Sequence, residues 1–201
     1  MIFTVIPAKP FSESKTRLSS ILSPGQRIWL SRVLLARTIT VATHIGPVIV
    51  VSRSAAVRRL AKELGAYALV EGQAELNAAI RQGVAWGRAQ GGSSALVLPL
   101  DLSRLSVGAL ERLIELGGAH VPGLVIAPCR RRRGTNALLL TPPAVISPTF
   151  GPNSFEKHRQ LAAARGIWTK NFHAPELAFD LDTPADWREE EMRRFEIGRL
   201  K

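Results

Sequence analysis

The feature that most constrains this chain is a series of short, continuous apolar runs set between longer amphipathic stretches. IFTVI (2–6), VIVVS (48–52), SALVLPL (94–100), LVIAP (124–128) and ALLLT (137–141) are rich in branched aliphatic residues. They do not alternate with polar residues, so they read as strands covered on both faces. Between them lie helical patterns with their own boundary signals. Ser23-Pro24 supplies an N-cap and an N1 proline ahead of QRIWLSRVLLARTITVATHI. AAVRRLAKEL closes at Gly65, ELNAAIRQGVAWGRAQ at Gly91-Gly92, and VGALERLIEL at Gly117-Gly118. Thr183-Pro184-Ala185-Asp186 reads as a capping-box start for the last helix. Such alternation predicts an α/β three-layer sandwich with a mostly parallel sheet. No repeat or linker interrupts it, and 201 residues suit one domain over 1–201.

Composition removes several classes. With 46% hydrophobic and 21% charged residues, the chain reads as folded. No apolar run approaches the roughly 20 residues of a membrane span, and MIFTVIPAKP reads as a first strand instead of a signal peptide. A cytoplasmic protein without a membrane partner is expected. Cys129 is the only cysteine, which excludes an intramolecular disulfide and a cysteine-based zinc site. The four histidines, 44, 120, 158 and 173, show no paired metal spacing and read as surface or packing residues. Trp29, Trp86, Trp168 and Trp187 also read as packing residues. No G-x-S-x-G elbow or G-x-G-x-x-G turn is present. The net charge of +11 attracts anions: nucleic acid, nucleotides or phosphorylated metabolites. Its largest cluster is Arg130 to Arg133. Aromatic residues do not interleave with the basic ones, so nucleic acid is not the expected partner.

In a mostly parallel sheet, ligands bind beyond the carboxyl ends of the strands. That edge holds Lys9, Asp101 and the segment after Pro128. The first strand runs into AKPFSESKTRL, where Lys9, Lys15 and Arg17 stand among Ser12, Ser14 and Thr16. Such a loop can cradle phosphates, or can simply be solvated. Asp101 ends SALVLPL; it is either a helix cap or a site carboxylate. FDLDTP (179–184) places Asp180 and Asp182 two apart in an extended run, where both can face one way. Asp182 or Thr183 can equally start the last helix. Together Asp101, Asp180 and Asp182 offer three oxygen donors suited to Mg²⁺. Gly134, Thr135, Gly151 and Ser154 are suitable for an anionic group, and Ser154 equally reads as an N-cap.

The motifs PAKPFSESKTRLSSILSPGQR, VIVVS, ELNAAIRQG, LVLPLDLSRL, GTNALLL, FGPNSFEKH and LAFDLDTPADW, in this order, resemble the 2-phospho-L-lactate (phosphoenolpyruvate) guanylyltransferases of deazaflavin-coenzyme biosynthesis. The resemblance implies a nucleotide-diphospho-sugar transferase-like fold. It also implies transfer of GMP from GTP to a small phosphorylated acid: 2-phospholactate, phosphoenolpyruvate or 3-phosphoglycerate. It carries Mg²⁺ onto Asp101, Asp180 and Asp182, and the acid onto Lys9, Thr135, Gly151 and Ser154. Lys15 and Arg17 would meet the triphosphate, and Glu75, Leu76 and Asn77 the nucleotide. Lys9 and the three aspartates would be catalytic, and a homodimer is compatible with the pattern. Family members usually read close to D-R-H-G-T-G-T-N where this chain has CRRRRGTN, so Arg132 and Arg133 add charge and bulk beside the expected acceptor pocket. Two rivals remain at this stage: a polyanion-binding protein on a relic fold, and a nucleotidyltransferase with another base or acceptor.

Overall fold

The computed structural model describes residues 1–199, with side chains through Arg193; Leu200 and Lys201, the end of the expected 1–201 span, lie outside the described residues. Seven strands form one sheet: β1 (Ile2–Pro7), β2 (Val48–Ser52), β3 (Tyr67–Val70), β4 (Ser94–Val97), β5 (Gly123–Pro128), β6 (Thr135–Thr141) and β7 (Trp168–Asn171). Their order is β3-β2-β1-β4-β6-β5-β7. All neighbours are parallel except β6, which runs antiparallel to β4 and β5. Because β6 is reversed, its first residue, Thr135, lies opposite Pro128 at the edge where β5 ends.

The five apolar runs all become strands, and their parity divides the core. Ile6, Val48, Val50, Leu96, Val125 and Leu139 face one side. They pack with α1 (Pro24–Thr43), α2 (Ala55–Glu63), α4 (Val107–Gly117) and the one-turn α6 (Pro175–Ala178). Phe3, Val5, Ile49, Val51, Val97, Ile126 and Leu138 face the other, against α3 (Leu76–Ala89) and α5 (Ser154–Ala163). Layers of helix, sheet and helix follow from this. The last helix, α7 (Pro184–Arg199), is held beside the sheet's carboxyl edge.

Boundary signals hold where the chemistry is local. Ser23 Oγ accepts from Gln26 N–H at 3.3 Å while Gln26 Oε1 accepts from Ser23 N–H at 2.8 Å, a reciprocal cap. Gly65 takes φ +79°, the left-handed turn expected of a helix stop. The edge strands β3 and β7, four residues each and partly exposed, escape the apolar-run criterion because edges bury only part of each side chain. SALVLPL also ends as a strand at Val97, three residues early. Trp29 departs from its expected packing role: it is 61% exposed on α1. No helix among the described residues is long and apolar enough to cross a membrane.

Candidate functional site

A cleft of ≈ 370 Å³ opens at the carboxyl edge, between the loops that follow β1 and β4. Its lining includes Lys9, Lys15, Arg17, Leu76, Asp101, Phe150 and Asp182. Lys15 sits in the left-handed region, φ 55°, between two single-turn 3₁₀ segments. Its side chain is only 4% exposed, with Nζ 2.9 Å from Asp182 Oδ1 and 3.3 Å from Asp101 Oδ2. Burial alone would lower the Lys15 pKa, but the charges and hydrogen bonds of the two carboxylates outweigh it and hold the ammonium above its usual value. Arg17, largely exposed, reaches within 3.8 Å of Asp182 from outside. The alternative role for Asp101, a cap on α4, falls away, because Ser106 Oγ does that work.

Residues 179–182 are brought to the cleft by packing. Phe179 and Leu181 pack into a small core with Leu18, Leu22, Leu30 and Leu34, so the alternating Asp180 and Asp182 lie off that core. Leu181 N–H donates to Asp101 O at 3.1 Å, joining the two acidic segments directly. The Phe179 ring has the Arg104 guanidinium 3.6 Å from its centroid and that of Arg130 at 5.2 Å. Both arginines also bind α7: Arg104 through Glu189 and Glu190, Arg130 through Asp186 and Glu189. Asp186 completes the expected capping box, accepting from Thr183 N–H at 2.8 Å. Arg130 is therefore a structural clamp, a role that its place in a run of four arginines did not reveal.

The acidic trio is not gathered as the sequence expects. No cluster of three or more potential ligands among the described residues could hold a metal ion. Asp101 and Asp182 converge, but the ammonium of Lys15 stands between them. Burial chiefly, then the negative charge of Asp101, raises the Asp180 pKa. The carboxylates of Asp101 and Asp182, which converge on Lys15 Nζ, are oxygen donors of the kind a hard divalent ion takes.

Of the remaining expected residues, Lys9 and Leu76 line the cleft, whereas Glu75, Asn77, Thr135, Gly151 and Ser154 do not. Lys9 lines both the cleft and a smaller recess with Arg53, Glu71 and Glu75. Glu75 caps α3, accepting from Asn77 N–H and Ala78 N–H at 2.7 and 2.6 Å. The Asn77 amide grips the Phe150 backbone, accepting from its N–H at 2.6 Å and donating to its C=O at 3.1 Å. Gly151, φ +122°, turns the chain into α5. Ser154 is the first helical residue rather than the N-cap, and its Oγ accepts Thr135 N–H at 3.0 Å. Arg132 and Arg133 border a separate groove with Asn153, Glu156, Lys157 and Gln160, and Phe155 N–H donates to Arg133 O at 3.2 Å, so both stand beside Ser154 as expected. Cys129 Sγ accepts Gly134 N–H at 3.1 Å.

A family model described as "Guanylyl transferase CofC like" matches residues 2–193. The chain belongs to this guanylyl transferase family. It is thus an enzyme of the nucleotidyltransferase class. A phosphoenolpyruvate guanylyltransferase of Rubrobacter xylanophilus is 38% identical over 187 residues, covering 92% of this chain and 91% of the relative. A 3-phospho-D-glycerate guanylyltransferase of Colwellia psychrerythraea is 34% identical, covering 90% and 87%. Among solved structures, 4-diphosphocytidyl-2C-methyl-D-erythritol synthase shares the fold, with TM-score 0.65, 13% identity, and coverage of 95% of this chain and 97% of that one. The expected nucleotide-diphospho-sugar transferase-like fold is thus the observed one for this guanylyl transferase.

His158, read from the sequence as a packing residue, is buried, and its burial holds the ring's pKa down at about 4, against a usual 6.5. A native pKa below the unfolded one means stability present above pH 6.5 and lost as pH falls toward 4. The loss should approach about 3 kcal/mol, from roughly 2.5 pKa units at 1.36 kcal/mol each. Urea unfolding should therefore show the stability gap between wild type and His158→Asn narrowing from pH 7 to pH 4.5. A gap independent of pH would count against this.

Proposed function

We propose that the protein joins GMP from GTP to a small phosphorylated acid with release of pyrophosphate. The observation that carries this reading is the buried Lys15 ammonium held between Asp101 and Asp182 at the floor of the cleft, with Lys9 and Arg17 on its walls. An oxygen of the acceptor's phosphate attacks the α-phosphorus of GTP. The bond from that phosphorus to the bridging oxygen of the β-phosphate breaks, and a phosphoanhydride forms. An ionised phosphate needs no general base, so catalysis consists of positioning and charge neutralisation.

In this reading Lys9, Lys15 and Arg17 offset charge on the triphosphate and the acceptor. Asp101 and Asp182 would hold a divalent ion, Mg²⁺ being the expected one, with Asp180 behind them. When bound, such an ion supplies positive charge to the phosphate oxygens between nucleotide and acceptor. Thr135, Gly151 and Ser154 would receive the acid. Glu75 and Asn77 would act through the backbone they hold, shaping the nucleotide wall. Phosphoenolpyruvate, named for the Rubrobacter relative, is the acceptor to test first.

The test is a panel of nucleoside triphosphates against phosphoenolpyruvate, 3-phosphoglycerate and 2-phospholactate, with Mg²⁺ or EDTA, reading pyrophosphate release. Release with GTP and one acid, abolished by EDTA, is expected. No release with any pair would overturn the reading, and full activity in EDTA would remove the metal from it.

A further inference from the structure

The FGPNSFEKH motif contains one buried titratable group that the reaction above does not use. His158 is fully buried on α5 and makes two hydrogen bonds. Its Nε2 lies 2.8 Å from the backbone N of Thr149, and its Nδ1 lies 3.0 Å from Thr135 Oγ1. A backbone N–H can only donate, so Nε2 must carry the lone pair. In the neutral ring the proton then sits on Nδ1, which donates to Thr135 Oγ1. The depressed pKa agrees with a ring that stays neutral.

The consequence falls on two hydroxyls. Thr135 Oγ1 is already an acceptor from His158, and Ser154 Oγ is already an acceptor from Thr135 N–H at 3.0 Å. Both side chains are nearly buried, at 5% and 1% exposure, and among the described residues neither hydroxyl donates to anything. Thr149 Oγ1, on the segment that bonds the other ring nitrogen, is shut away from solvent with no partner among the described residues. Buried hydroxyl protons without acceptors cost stability, so the linked Thr135 and Ser154 hydroxyls leave two donors in one corner suited to an anionic oxygen. The corner is rigid. Asn77 holds the backbone of Phe150, the Phe150 ring meets the His158 ring edge-on at 5.1 Å, and Thr149 N–H fixes the far ring nitrogen.

We propose that His158 is a positioning residue for the acceptor: by donating to Thr135 Oγ1 it forces the Thr135 hydroxyl proton, beside that of Ser154, to serve an oxygen of the incoming acid. This rests on the reading that Thr135 and Ser154 receive the acid. It adds the group that sets the direction of their protons.

The variants His158→Gln and His158→Asn separate the two bonds of the ring. A Gln amide reaches the Nε2 position and can still accept Thr149 N–H, whereas an Asn amide reaches the Nδ1 position and can still donate to Thr135. Kinetics would be run with GTP, Mg²⁺ and each of the three candidate acids. His158→Gln should raise the acceptor KM about tenfold, the effect of one hydrogen bond to a charged group, with the GTP KM within about twofold. His158→Asn should return most of that loss. Thr135→Val should raise the acceptor KM similarly, and the Thr135→Val/His158→Gln double variant should go no further. If Thr135→Val leaves the acceptor KM unchanged, the acid is bound elsewhere and the underlying reading fails. If Thr135→Val raises it and His158→Gln does not, only the positioning role fails. Additive losses, or equal rises in both KM values, would show a merely structural histidine. A wild-type ¹⁵N NMR measurement guards against variants that fail to fold: Nδ1 should carry the proton at pH 7, and an Nε2-protonated ring would overturn the proposal.

Discussion

Lys15→Met is expected to lower guanylyl transfer by about 10³-fold while leaving the chain folded, because it deletes the buried positive charge on the cleft floor. The same substitution should raise the affinity of the nucleotide-free protein for a divalent ion. With the ammonium present, an ion must compete for the space between Asp101 Oδ2 and Asp182 Oδ1, which stand 3.3 and 2.9 Å from Nζ. Without it, two partly exposed carboxylates face each other and repel. Mn²⁺ binding followed by electron paramagnetic resonance measures this independently of turnover. Lys15→Arg should not restore the rate, because a planar fork cannot replace a point charge between two carboxylates. A Lys15→Met enzyme within tenfold of wild type, or one with weaker Mn²⁺ binding, would remove Lys15 from the centre of the site.

Gly87→Val should have the largest effect on stability. A Cβ at Gly87 would lie 2.3 Å from Phe3 Cε2, and one at Gly92 would lie 2.2 Å from Phe3 Cδ1. The Phe3 ring, 1% exposed, is thus held between two backbone segments and has nowhere to turn. Overpacking here should cost about 3 kcal/mol, lowering Tm by roughly 10 °C in a chain of this size. Gly25→Ala serves as the control, since nothing lies within 4 Å of its added Cβ. Thermal melts in which Gly87→Val matches Gly25→Ala would refute the close-approach account.

Both predictions depend on contacts that connect distant parts of the chain. Gly87 and Phe3 are 84 positions apart, and Lys15 meets a carboxylate 167 positions away. A close approach of α3 to β1 leaves no local mark except a glycine in a helical pattern. Arg104 and Arg130 illustrate the same limit. In the sequence they belong to a turn and a basic run; in the fold they enclose Phe179 and tie α7 to the edge that carries Asp180 and Asp182. His158 was visible within its motif, but a lone histidine has no readable role until its two nitrogens have partners.

What the sequence alone determined was set by periodicity, local chemistry and motif order. Unbroken apolar runs require a sheet buried on both faces, and cap residues bond to backbone within three or four positions, so the strands and most helix starts were legible. The order of the motifs carried the family. Charge placement was decided only by tertiary structure. Three aspartates and two lysines can pair in several ways on paper, and the packing of Phe179 and Leu181 on either side of Asp180 helps select one. That packing puts the Lys15 ammonium, expected from the resemblance at the triphosphate, directly between Asp101 and Asp182. Electrostatic energy depends on distances of a few ångströms, and those distances are fixed by the core, not by the order of the residues.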